Sequence, residues 1–435
     1  MKKRLFIILA IVASLFACQP NNNSTQQEYA EVNGEKIPII RLDLVDDSAT
    51  TIPLSALIEE VEIIPLETKP ECMIAYCSYM MTDNSILTMA RNRLAPIRLY
   101  EFDLKGKFIR EFGGVGKGPG EHQGYMDGGL TWYPEDELIL AQFQGGPVEK
   151  HLFNEEGKFI QALSLPWDMG GGVYRFSKDL NMTTGQISGI PKFKRDSFQL
   201  VLYRSEGNWV NSFPRRTYPP EGKSGFTIGG NRSLWRYNNV WRLYSAGDDT
   251  LYQVSEKFLK PMAIFNFGSS HYMYNQFVEP QTQVGRYSIQ ILRETERHLY
   301  IKKKHLYKLE AQEWSPGQWG SSSYLNYSLI LYDKIQNSGY NLRFEDDLLG
   351  ILPIETIQMN QTWDEFGSVC RIEQAVKVLE WIADAKKNNN LPDSARERIL
   401  ELEKSIDENS NPVMFIYKER NEEEFKSRLE KLASN

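Results

Sequence analysis

Glu121 with His122, Trp167, and His271 with Tyr272 are the side chains of this sequence best suited to recognising a ligand. The chain has five histidines, and two of them fall in this small set. Rings with polar tips stack on apolar faces while making hydrogen bonds, which suits a shallow site for a sugar or a peptide. Each group follows a recurrent block of sequence, so all five fall at related points of one repeating unit. Packing between units is the competing use of the same residues.

Covalent chemistry finds little support. No G-x-S-x-G elbow is present to expose a serine nucleophile. The glycine-rich stretch from Phe112 to Glu121 lacks the features of a phosphate loop: Lys117 is followed by Gly118 and Pro119, with no hydroxyl to hold a metal and no helix to follow. Its glycines instead suit a tight crossover needing positive φ. Besides Cys18 there are three cysteines, Cys72, Cys77 and Cys370, and no second Cys/His pair completes a metal site. Cys72 and Cys77 could bridge across a tight turn, which would leave one thiol over.

The element that must position these residues is a repeat. Phe102-Asp103-Leu104-Lys105-Gly106-Lys107-Phe108-Ile109 is echoed from Phe153 to Ile160, from Tyr203 to Val210 and from Tyr252 to Leu259. Equivalent turn positions at 106, 157, 207 and 256 are 51, 50 and 49 residues apart. A constant step of this size is one supersecondary unit stacked many times. Short alternating strands separated by Asp/Asn-to-Gly turns, without intervening helices, make each unit a four-stranded antiparallel sheet. The expected fold is therefore all-β, a six-bladed β-propeller over residues 39–420, with five or seven blades as the alternatives. Val61–Leu66 has no hairpin partner ahead of it, and is expected to supply the outer strand of the last blade. Helical spacing from Ser368 to Lys387, then from Leu391 onward, predicts a small helical insertion at about 366–410, between blades five and six. Residues 421–435 are expected as a tail or a short helix.

The ends and the charge bear on location. Met1–Arg4 is basic and Leu5–Phe16 is apolar, too short to span a bilayer, which takes about 20 helical residues. Residues 1–17 thus read as a secretory signal. Leu15-Phe16-Ala17-Cys18 resembles a bacterial lipobox, which implies cleavage before Cys18 and acylation there, anchoring the chain to a membrane. Residues 18–38 open polar and Asn/Gln-rich, and are expected as a disordered tether. Loss of Lys2, Lys3 and Arg4 leaves 47 basic against 57 acidic side chains. That balance argues against nucleic acid, which needs a basic stripe.

Thr51–Thr68 and the loop Phe112-Gly113-Gly114-Val115-Gly116-Lys117-Gly118-Pro119-Gly120-Glu121 are similar to segments of the six-bladed β-propeller lipoproteins of Bacteroidetes. The resemblance covers roughly residues 40–420 and implies a fold related to NHL-type propellers in an exported lipoprotein of the cell envelope. It implies an outer-membrane location facing the periplasm or the cell surface, and no settled activity. The leading expectation is a scaffold that binds a glycan, a peptide or an envelope protein through its channel-face loops, with no cofactor. The alternative is the hydrolase or lyase chemistry of some NHL-like propellers, which would bring calcium or zinc into the channel.

Overall fold

The computed structural model describes residues 27–433 apart from 92–95, 125, 145–148, 164–172, 184–197, 215–231, 246–247, 269–283, 316–317, 352–361, 364–368 and 388–390. Six sheets stand in a ring as a six-bladed β-propeller. Blades one to five span residues 76–112, 126–162, 173–214, 232–266 and 287–345, each from four consecutive antiparallel strands. Strand direction alternates, so crossovers between blades emerge on the same face as the loops joining second and third strands. That is the crossover face.

The repeat motif is the device that locks one blade to the next. In the last hairpin of blade one, Asp103 accepts the amides of Lys105 and Lys107, and Asn154 accepts that of Lys158 in blade two. The closing glycines have positive φ, +81° at Gly106 and +72° at Gly157. Both also abut the outer strand of the preceding blade. A Cβ on Gly106 would meet the Pro65 carbonyl oxygen at 2.4 Å, and one on Gly157 would meet the Phe112 Cβ at 2.8 Å. Arg110 donates to the Glu155 carbonyl across one seam, and Asn211 donates to that of Glu256 across another. The core is likewise divided among the seams: Leu87, Met89, Leu99 and Phe112 of blade one pack on Trp132, Ile139, Phe143 and Phe153 of blade two.

Blade six is built from both ends of the chain. Thr362–Trp363, Val369–Glu373 and Val413–Glu419 are joined by Ile58–Pro65, which pairs antiparallel with Val413–Glu419. Val61 lies opposite Tyr417, as expected for a ring sealed by the outer strand of its last blade coming from Val61–Leu66. Buried Asn411 secures the seam: it donates to the carbonyls of Glu67 and Cys72 and accepts from the Ile74 amide.

Two expectations need correcting. Residues 29–38, placed in the tether, are ordered as a hairpin of Tyr29–Val32 and Glu35–Arg41, turned at Asn33 and Gly34 with φ of 53° and 82°. Asn-Gly is the pair that a two-residue type I′ turn requires, so the signal was present in the sequence. The second of these strands runs parallel to the outer strand of blade four, and Thr50–Pro53 runs parallel to that of blade five. The front of the chain is therefore a strap over two blades.

The helical insertion lies inside blade six rather than between blades five and six. Helices α1 (Ala375–Ala385) and α2 (Asp393–Ser405) connect the second and third strands of that blade. Cys370 and Ile372 sit in a strand opposite Ile416 and Met414, although their neighbourhood also fits helical spacing. The last hairpin of blade five is a tight turn capped by Asp333. The extra length of this blade lies in its middle hairpin, where His298–Ser315 and Gln318–Asp333 run past their neighbours as a two-stranded arm. The Cys72–Cys77 pairing that the sequence left open is not made: Cys72, Cys77 and Cys370 are all free thiols.

The C-terminus forms helix α3 (Glu422–Ala433), with Phe425 and Leu429 buried. Glu422 meets His298 and accepts from Thr295 at 2.7 Å, fastening the helix to blade five.

Candidate functional site

The glycine-rich crossover closes on itself. Gly114–Val115 pairs in parallel with Glu121–His122. The Glu121 carboxylate accepts the Gly118 amide at 2.7 Å. Its side chain fills the space that Cβ atoms would take at Gly116 and crowd at Gly114 and Gly118. Glycine at these positions is thus the condition for wrapping a loop around one carboxylate, and that carboxylate is engaged in holding the loop.

His122 lies beneath the loop, only 1% exposed. Its ring stacks on Phe143 with centroids 3.7 Å apart and planes at 11°. His151 packs edge-on to the same phenyl ring. Burial, with His151 adding to it, pushes the His122 imidazole down to about 4. At neutral pH it is an uncharged core ring, a packing role rather than a surface one. Trp167, His271, Tyr272 and the lipid-attachment candidate Cys18 lie outside the described residues.

The crossover face carries a pocket that the sequence reading did not single out. It has a volume of about 130 Å³ and lies where the strap passes blade five. Tyr287 opens the inner strand of that blade, with His305 opposite it and Asn326 opposite His305 on the third strand. The arm rises just beyond this row. Lys303 and Arg343 line the pocket with them, and Asp47 of the strap completes it. Asn341 fixes the strap by donating to the carbonyls of Asp46 and Asp47, both at 3.0 Å.

Lys303 is the central group. Its ammonium lies 2.7 Å from an Asp47 carboxylate oxygen and 4.4 Å from the centre of the Tyr287 ring. The lysine side chain is 6% exposed while that of Asp47 is 76% exposed. Strand alternation sends Lys303 and His305 toward blade four, with Ile301 of that seam's core. Lys302 and Lys304 point the other way, with Tyr300 of the next seam. All three lysines are buried, which is rare for the residue type. Desolvation pushes Lys302 down to about 8 and lowers Lys304 as well. Lys302 also lies 5.1 Å from the centre of the Tyr327 ring. The signal was legible: three consecutive lysines between Leu299-Tyr300-Ile301 and Leu306 put a charge where alternation would place a core residue.

Among the described residues no three His, Cys, Asp or Glu side chains converge as a metal cluster. None of their helices is long and apolar enough to cross a membrane.

Among solved structures, a Bacteroides fragilis protein described as exported is similar over 88% of this chain and 100% of its own, at 17% identity and a TM-score of 0.59. A DUF4221 member from Bacteroides vulgatus is 13% identical over 84% of this chain and 97% of its own, with a TM-score of 0.47. A Bacteroides caccae protein of unknown function is 12% identical over 59% of this chain and 78% of its own, with a TM-score of 0.31. The first likeness bears on the fold alone. No curated protein matches the sequence. A family model described as a domain of unknown function matches residues 37–418, from the second strand of the strap to the third strand of blade six. The chain belongs to that family, DUF4934.

Proposed function

We propose that this protein is an exported binding propeller of the cell envelope, anchored through a lipid on Cys18, that takes a ligand or partner on its crossover face. One observation carries the reading. That face holds a preformed pocket in which a buried lysine, an arginine, a histidine and a tyrosine converge beneath a projecting arm. Convergent polar groups in a concavity are the usual form of a recognition site. The lipobox-like Leu15–Cys18 supports the anchor, and the Bacteroides fragilis relative, described as exported, supports the compartment.

The test uses the mature chain on arrays of glycans and peptides, beside variants on each face. Retention of one ligand class that is lost in Arg343→Ala and kept in Lys257→Ala, a turn residue of the opposite face, is the expected result. Retention affected equally by both variants would remove the crossover face from the reading. In cells, Cys18→Ser should move the protein from the membrane to the soluble fraction. An unchanged distribution would exclude the lipid anchor.

A further inference from the structure

We infer that the pocket beside Lys303 is a receptor for a carboxylate group, and that Asp47 is the internal carboxylate a ligand displaces. The inference deepens the binding role proposed above and rests on it.

Lys303 already grips a carboxylate there, at 2.7 Å. The ammonium is buried and fixed over Tyr287, whereas its partner comes from the exposed strap. A buried cation with a solvent-accessible counter-ion is an arrangement in which a solute can exchange for that counter-ion. Charge-assisted contacts of this kind are the strong hydrogen bonds of a binding site. Arg343 stands exposed at the same pocket, and no carboxylate among the described residues pairs with it. Lys303, Arg343 and Asp47 together leave one net positive charge, which suits a monoanion better than a phosphate dianion.

The cations that face the pocket are Lys303 and Arg343, since Lys302 and Lys304 point toward the next seam and Lys308 pairs with Glu310. A lysine as buried as Lys303 needs an anionic partner, so a solute that displaces Asp47 must itself carry negative charge. Size is the last constraint. A volume of about 130 Å³ is close to that of a cavity of about 150 Å³ known to take one benzene ring. The pocket therefore holds the acidic end of a ligand, with the neutral amide of Asn326 and the ring nitrogens of His305 beside it.

Calorimetric titration of the mature chain with benzoate and glucuronate, against benzamide and glucose, tests this. At least one acid should bind about tenfold more tightly than its neutral counterpart, the difference expected of a charge-assisted contact. Arg343→Gln should weaken the acid about tenfold, and Asp47→Asn should strengthen it several-fold by removing the competitor. Circular dichroism of each variant verifies the fold. Acid affinity that falls in Asp47→Asn, with the fold intact, overturns displacement. Neutral probes binding as well as the acids, still dependent on Arg343, overturn the carboxylate assignment and leave the recognition face standing. So does a failure of every probe while array retention still depends on Arg343. Failure of every probe together with unselective array retention removes both readings.

Discussion

The Ile74 amide donates to the side-chain oxygen of Asn411 at 2.8 Å, joining positions 337 residues apart in the chain. The carboxamide nitrogen of the same residue reaches Glu67 and Cys72 carbonyls at 2.7 and 2.9 Å. One fully buried side chain thus ties the C-terminal strand of blade six to the crossover entering blade one. Asn411→Ala should leave the buried Ile74 amide and Cys72 carbonyl without this partner, while the Glu67 carbonyl keeps only the Cys72 thiol, lowering stability by roughly 2–4 kcal/mol. Asn411→Asp should be comparably damaging, since a carboxylate cannot donate to either carbonyl. Urea unfolding monitored by tryptophan fluorescence measures both. A loss below about 0.5 kcal/mol, within the range of ordinary surface substitutions, would show that ring closure does not depend on this side chain.

The repeat glycines make a graded test of blade interlock. Gly34 and Gly106 share nearly the same φ, +82° and +81°, but a Cβ on Gly34 meets nothing within 4 Å. Gly34→Ala should therefore cost only the left-handed backbone, about 1–2 kcal/mol. Gly106→Ala adds a collision with Pro65 and should cost at least about 1 kcal/mol more, as overpacking does. Equal losses at the two sites would mean that the turn glycines do not serve the contact between blades.

This pair of glycines also explains what the sequence could disclose. The 50-residue step was visible because successive blades repeat one turn, at Gly106 and Gly157 in the same contact, so the constraint recurs in the letters. The unpaired strand before Pro65 was visible because an apolar run without a hairpin partner must pair with something distant. Blade six was misread at its second strand, since Val369 and Ile372 satisfy a helical spacing and only pairing with Val413–Glu419 decides the matter. The pocket was hidden for a different reason. Lys303 and Asp47 belong to elements 256 residues apart, and no local pattern reveals that the strap crosses blade five. His122 was conspicuous as a scarce residue, yet scarcity gives no information on burial.

His122 supplies a pH dependence. Its folded value of about 4 lies below its ordinary 6.5. The unfolded chain therefore binds the proton more readily, and stability falls as the pH drops from 6.5 toward 4. The contribution is complete above pH 6.5 and should amount to roughly 2–3 kcal/mol between those limits. His151, also lowered by burial, adds in the same direction. Unfolding free energies at pH 7.5 and 4.5 should differ less in His122→Gln than in the parent chain. Identical pH slopes would mean that the imidazole remains solvated.

Lys302 is predicted to be a liability for stability. Its folded value, pushed down to about 8 from an ordinary 10.5, means that the fold prefers the neutral amine. Above pH 10.5 both states are neutral and nothing is lost; below 8 the full desolvation cost is present. Lys302→Met keeps the length of the stem and removes the charge, so at pH 7 it should stabilise the chain by about 1–3 kcal/mol. The gain should shrink toward zero by pH 10.5, and thermal unfolding across that range would reveal it. A stabilised variant would identify Lys302 as a residue that folding alone does not favour. Destabilisation at pH 7 would indicate instead that the contact with the Tyr327 ring outweighs burial.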